Sequence, residues 1–203
     1  MSGPWMTLTA VALWGVLHSA LASPPVKAFV HDRLGPRADR WYRVMYNVSA
    51  GLTFLPVLAV PALDPGKLLY RAPWPWAALL VLGQLGAGIL LVVGLLHTDV
   101  WHFIGLRQFG EARNSQRQLV VTGLYRWVRH PLYTAGLLFL WLIPLMTSSL
   151  LALNIGLTAY ILIGLRFEER RLVSEFGMAY EAYRRRVPAL LPFPRPATPA
   201  ERP

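Results

Sequence analysis

Three apolar stretches of bilayer length constrain this chain before anything else does. They cover about Pro4 to Ala22, Val44 to Leu63 and Trp74 to Leu96. Each is near the roughly 20 residues that a helix needs to cross a hydrocarbon core of about 30 Å. A fourth apolar run, Leu132 to Leu165, would be about 50 Å long as one straight helix at 1.5 Å per residue. Pro144 and the polar group Thr147, Ser148 and Ser149 interrupt it near the middle. Two short helices joined by a tight turn resolve the excess length. The expected fold is all-α and integral to a membrane, with about five transmembrane helices, the last two forming a helical hairpin.

Composition agrees with this reading. The 203 residues are 55% hydrophobic and only 15% charged, and the mean hydropathy is +0.41. Eight Trp and eight Tyr suit interfacial aromatic belts, with Trp74 and Trp76 as candidate belt residues. The absence of cysteine excludes a thiolate nucleophile, cysteine-ligated zinc, iron–sulfur ligation and disulfides. Residues 20–22, Ala-Leu-Ala, resemble a signal-peptide cleavage pattern, but no Lys or Arg precedes Lys27, so the first run reads as a retained helix.

The net charge of +10 does not point to nucleic acid, because the basic residues sit between the apolar runs. Residues 23–43 hold five of them, residues 97–131 hold five and the tail from Arg166 holds eight, against two, Lys67 and Arg71, in 64–73. With five crossings the three rich segments share one side. The positive-inside rule then places the N-terminus outside and the C-terminus in the cytoplasm, as in a bacterial inner membrane. Residues 1–96 read as a three-helix membrane region and 97–192 as a functional core containing the hairpin 132–165. Residues 193–203 read as a flexible proline-rich tail.

The charge-rich side also carries the candidate chemistry. "GLYRWVRHPLYTAG", Gly123 to Gly136, and the segment from Arg166 flank the hairpin. Antiparallel helices therefore bring Arg129, His130 and Tyr133 near Arg166, Glu168 and Glu169. Cations, carboxylates and a phenol beside an apolar wall suit a zwitterionic, partly cationic cofactor next to a lipophilic substrate. Adjacent acids cannot share one helix face, so one of Glu168 and Glu169 is expected to be a solvated helix-end acid. Arg126 reads equally well as a positive-inside anchor. His18, an ionisable group in an apolar run, is a functional candidate, although its place near the run's end favours a satisfied interfacial histidine. His97, Asp99 and His102 in "HTDVWH" lack a repeated helical spacing, so no metal site is expected. Gly83, Gly86 and Gly88 are expected to permit close helix packing.

The pattern G-x-Y-R-x-x-R-H-P-x-Y-x-x-G, followed by E-E-x-x-L, F-G-x-x-Y-x-x-Y and V-P across Gly123 to Pro192, resembles the integral-membrane methyltransferases of the isoprenylcysteine carboxyl methyltransferase and phospholipid methyltransferase superfamily. Upstream, "LHSALASPPVKAF" and "FIGLRQ" resemble the branch holding NnrU-type membrane proteins and methanethiol S-methyltransferases. The resemblance implies S-adenosylmethionine as cofactor in a cytosolic pocket. It implies Arg129, His130 and Glu168 as catalytic residues. Cofactor-binding residues would be Gly123, Tyr125, Arg129, His130, Tyr133, Gly136, Glu168, Glu169, Tyr180 and Tyr183. Arg129, His130 and Tyr133 would contact the cofactor or order its pocket, and Gly136 would allow close approach. The acidic pair would take its ammonium or ribose hydroxyls. Tyr180, Tyr183 and Arg184–Arg186 would close the pocket. The acceptor implied is a small or lipophilic thiol. Alternatives are a prenylcysteine carboxylate, a phospholipid amine, or a non-catalytic NnrU-like role.

Overall fold

The structure, a computed structural model, describes residues 3–97 and 119–192. Asp99, His102, "FIGLRQ" and the tail 193–203 lie outside the described residues. The elements are α1 (Gly3–Ala22), α2 (Pro24–Leu34), α3 (Pro36–Leu63), β1 (Leu68–Arg71), α4 (Trp76–His97), a 3-10 turn at Gly123–Arg126, α5 (Pro131–Trp141), β2 (Leu145–Thr147), α6 (Ser148–Phe176) and α7 (Met178–Arg186).

Four helices are long and apolar enough to cross a membrane: 3–22, 41–63, 76–96 and 148–176, the last through its apolar part before Arg166. Their outward faces carry exposed Leu13, Val16, Leu52, Leu82 and Ile163. Such surfaces need lipid rather than water around them, and the chain is an integral membrane protein. Buried Val11, Val57, Leu153 and Leu157 form a core where α1, α3 and α6 meet. α4 pairs instead with α5. A Cβ on Gly94 would lie 2.7 Å from Leu132 and one on Gly83 2.9 Å from Leu142, so these two glycines let the helices approach. Gly88 makes only ordinary contact with Phe139, and a Cβ on Gly86 would meet no described atom within 4 Å. Gly94, rather than Gly86, is thus a packing glycine.

The expected connection 23–43 is itself mostly helical, forming α2 and the first two turns of α3. A proline at the start of each helix fits there because the first helical N–H groups have no intrahelical partner. The hairpin also departs from two equal helices. α5 has 11 residues, about 16 Å, and alone reaches only halfway across a bilayer. Pro144 disfavours helix at the residue before it, and the chain continues extended into β2. There Leu145–Thr147 pairs antiparallel with β1, a contact the apolar pattern does not announce. Asn154 Nδ2 donates to the Leu140 carbonyl at 2.6 Å and Trp141 Nε1 to Thr158 Oγ1 at 3.0 Å, clasping α5 to α6.

The outer ends of these elements converge. Ser149 Oγ donates to the Asp64 carbonyl at 2.7 Å and Ser148 N to the Lys67 carbonyl at 2.8 Å. A Cβ on Gly3 would overlap both Asp64 and Ser149. The start of α1, the segment 64–71 and the hairpin turn therefore share one end, as alternating crossings require. At the opposite end α6 runs 11 residues past Leu165. No Gly or Pro interrupts it until Gly177, whose φ of +53° favours glycine.

Candidate active site

The R-H-P segment enters α5 with His130 as N-cap and Pro131 as first helical residue. Its backbone is held by the V-P segment that follows α7. Arg129 N donates to the Pro188 carbonyl at 2.9 Å and His130 N to the Ala189 carbonyl at 3.0 Å. Thr134 Oγ1 donates to the Leu190 carbonyl at 2.7 Å. Two segments nearly 60 residues apart thereby become one rigid floor, and α6 lays its acidic pair across it.

Glu169 is the hub. Its Oε1 accepts from Arg129 Nε at 2.8 Å, His130 Nε2 at 3.0 Å and Tyr180 Oη at 3.0 Å, with Arg129 NH2 at 2.6 Å. The remaining guanidinium nitrogen of Arg129 donates to the carbonyls of Val187 at 2.5 Å and Arg184 at 3.1 Å. Arg129 is 6% exposed and Tyr180 1%. An isolated charge so buried would be costly; here it is paired, and each guanidinium nitrogen has a partner. Burial alone would raise the Glu169 carboxyl, but the hydrogen bonds from His130, Arg129 and Tyr180 outweigh it and hold the carboxyl below its ordinary value. The Tyr180 phenol is pushed up, first by burial and then by its bond to Glu169.

Glu168, one residue earlier and about 100° around the helix, faces a different set. Tyr133 Oη donates to its Oε2 at 2.7 Å, and His130 Nδ1 lies 3.8 Å away. Its side chain is 33% exposed, against 12% for Glu169. His130, stacked on Tyr133 with ring centroids 5.5 Å apart, thus stands between the two acids, one ring nitrogen toward each. Glu168 keeps part of the helix-end character that adjacency suggested, being partly exposed and 3.9 Å from Arg171, but Tyr133 and His130 engage it as well. The helix-face argument holds, but α5 and α7 supply a partner surface to each face.

The other expected residues divide. Tyr183 Oη donates to the Tyr125 carbonyl at 2.5 Å, tying α7 to the 3-10 turn. Burial, partly opposed by Arg129, pushes its phenol up to about 12. Tyr125 is raised by burial and then by the charge of Glu168. Gly123 has φ of +62° and starts the turn in a conformation that favours glycine. Gly136 does not serve close approach, since a Cβ there would meet no described atom within 4 Å. Arg126 lies over the Trp127 ring at 5.4 Å, as an interfacial anchor would.

A cavity of about 590 Å³ opens beside Glu169, lined by Arg129, Leu165, Arg166, Glu169, Arg170, Val173 and Arg184. That size is in the range of small-molecule sites. Arg166, Arg170 and Val173 were not singled out for the cavity by motif. Topology places Arg166 beside the acids; Arg170, four residues after it, and Val173, four after Glu169, follow from the rule that residues three and four apart share a helix face. Guanidinium groups can take a carboxylate, carboxylates can take an ammonium or hydroxyls, and Leu165 and Val173 offer apolar surface to an aromatic base.

The comparisons with known proteins agree with this arrangement. The Phospholipid methyltransferase family model matches residues 84–179. Methanethiol S-methyltransferase 2 of Bradyrhizobium diazoefficiens is 32% identical over 92% of this chain and 72% of its own length. The methanethiol S-methyltransferase of Mycobacterium tuberculosis is 32% identical over 93% of this chain and 78% of its own. The protein-S-isoprenylcysteine O-methyltransferase of Schizosaccharomyces pombe is 38% identical, over 39% of this chain and 35% of its own. No solved structure matches. An integral membrane chain with this site and these relatives belongs to the methanethiol S-methyltransferase family, and is a methyltransferase.

Proposed function

We propose that the chain transfers a methyl group from S-adenosylmethionine to a small or lipophilic thiol. The observation that carries this is the cavity beside Glu169, rich in guanidinium groups, in a chain whose long relatives are named for methanethiol S-methylation. The lining suits the cofactor's mixture of carboxylate, ammonium, hydroxyls and aromatic base. When bound, the cofactor supplies an activated methyl group on a sulfonium centre. Arg166, Arg170 and Arg184 attract its carboxylate. Glu168, the more exposed acid, stands on the helix face next to this lining and takes the ammonium or ribose hydroxyls where the cofactor extends past Glu169, while Arg129 and His130 act by fixing Glu169 and the floor beneath it. Methyl transfer is an in-line displacement, so orientation and a water-poor site supply most of the catalysis. Residues 97–192 form the methyl-transfer core in this reading.

A labelled-methyl transfer assay across a short thiol, a prenylcysteine analogue and phosphatidylethanolamine tests the acceptor. Transfer to the thiol is expected. Turnover on the carboxylate with none on any thiol would replace the thiol reading with carboxyl methylation. The charge-rich end, with the C-terminus, faces the cytoplasm of a bacterial inner membrane in this proposal. Surface labelling at residue 2 but not at residue 203 in intact cells is the expected result; both ends on one side would overturn it.

A further inference from the structure

Three hydrogen bonds join α1 to α3 within the apolar region. Trp14 Nε1 donates to the Ala50 carbonyl at 3.2 Å, His18 Nε2 meets Tyr46 Oη at 2.5 Å, and Tyr42 Oη donates to the Leu21 carbonyl at 2.6 Å. The first and third pair a side-chain donor with a backbone carbonyl, as helix-to-helix ties in lipid do. The middle one is different. It occupies one ring nitrogen of His18 and leaves Nδ1 buried with no hydrogen-bond partner among the described residues. An unpaired buried nitrogen is a standing cost that a merely structural tie does not require.

The surroundings and position of His18 suggest what Nδ1 is for. Trp14 stacks on the imidazole with centroids 4.9 Å apart, and the Tyr46 and Tyr160 rings lie at 4.8 and 6.0 Å. Aromatic faces and edges are favourable company for a polarizable sulfur. α1 and α6 run parallel, since Gly3 adjoins Ser149, Gly156 adjoins Val11 and Gly15 adjoins Tyr160. Counted from Gly3 and Ser149, His18 is 15 residues along and Glu168 is 19. The histidine therefore lies about 6 Å deeper in the apolar region than the carboxylate. On α6, Tyr160, Gly164 and Glu168 follow one another at i, i+4 and i+8 on one face. A Cβ on Gly164 would meet no atom within 4 Å, so among the described residues nothing fills the space beside Gly164, between Tyr160 and Glu168.

We propose that His18 is the acceptor-side base, its Nδ1 receiving the proton of a thiol lodged between the His18–Tyr46 pair and Glu168. This deepens the thiol reading above and rests on it. With its hydrogen on Nε2, donated to Tyr46 Oη, the imidazole offers the Nδ1 lone pair to the S–H group. The acceptor sulfur forms the new bond to the methyl carbon, and the electron pair of the broken carbon–sulfur bond stays with the departing sulfide. The S–H proton passes to Nδ1. The imidazolium, donating still to Tyr46, later gives the proton up. A neutral thiol is a poor nucleophile, so this removes the main obstacle to S-methylation at neutral pH. The titratable groups facing the imidazole are Tyr46 and, a turn away, Tyr42 from α3, and Tyr160 from α6.

The test compares wild type with His18→Gln in lipid nanodiscs, using ethanethiol. Glutamine keeps a polar group at the Nε2 position for Tyr46 but has none at Nδ1. Calorimetry is expected to give unchanged S-adenosylmethionine affinity, while turnover at pH 7 falls by about 100-fold, the low end of general-base contributions. The deficit should narrow at high pH, where the thiol ionises unaided. In wild type, the ¹⁵N resonance of His18 Nδ1 should move on adding ethanethiol without methyl donor. Wild-type turnover in His18→Gln, an unchanged pH profile, or an unmoved resonance each overturns the proposal. Wild type inactive on every thiol would instead break the thiol reading and take this inference with it. If His18→Gln does not fold, Tyr46→Phe replaces it, and a rate that rises at the same pH as in wild type overturns the proposal.

Discussion

The two ends of the membrane bundle are closed by different chemistry. At the charge-poor end, Gly3, Asp64–Lys67, β1, β2 and Ser148–Ser149 meet through neutral groups, mostly backbone carbonyls and amides. At the charge-rich end, one carboxylate oxygen of Glu169 gathers a guanidinium and an imidazole from the R-H-P segment and a phenol from α7. The first closure needs only the right backbone geometry and is insensitive to protonation. The second depends on ionised side chains held out of water, where breaking one partner strands the others. A structural corner can be built either way. For a ligand that carries both signs of charge the second way is suited, because side chains bring full opposite charges to one point.

The sharpest way to break this contrast is Glu169→Ala. It leaves Arg129 buried without its carboxylate, which is expected to cost about 3–5 kcal/mol, and thermal unfolding in detergent should show a large loss of stability. Glu168→Ala, at the more exposed acid, should leave stability nearly unchanged yet weaken S-adenosylmethionine binding roughly tenfold by calorimetry, the order expected for one charge-assisted hydrogen bond. Equal effects from the two variants would erase the distinction between hub and ligand-facing acid.

A smaller effect separates the ends by pH. Glu169 has its folded-state pKa depressed, so its contribution to stability is complete above the unfolded carboxylate value, about 4.3. It is lost as pH falls through the lower folded value. Gly66 at the opposite end has φ of +69°, and a Cβ would overlap Ser148 Oγ. Gly66→Ala should therefore cost about 1–3 kcal/mol by the same amount at pH 7 and pH 4. The acid loss should persist in Gly66→Ala. In a Glu169→Gln protein it should shrink. Denaturant unfolding across pH measures both, and an acid loss that Gly66→Ala abolishes would place the sensitivity at the wrong end.

The helical spans, the bent fourth apolar run and the segregation of charge were legible because each is a property of distance along the chain. Run length against bilayer thickness needs no tertiary information, and charge in alternate connections follows from the same count. The motif from Gly123 to Pro192 also named most of the residues that the fold brings together around Glu168 and Glu169. It could not divide their labour. Arg129 is expected to contact the cofactor or order its pocket, and in the fold its nitrogens meet Glu169 and two carbonyls. Glu168 and Glu169 looked like one functional acid and one bland one, and both are engaged.

What the sequence by itself determined is therefore which segments are apolar enough to enter lipid, where the hairpin must turn, and which polar residues are left together at one end. Tertiary structure alone decided that Glu169 is the hub, that Gly94 rather than Gly86 seats a helix, that the V-P carbonyls floor the site and that His18 meets Tyr46. Periodicity records the rise and rotation of a residue within its own helix. Which residues meet across 28 or 40 positions depends on how the helices are turned and offset against each other, and packing sets those two quantities only when all the helices are present.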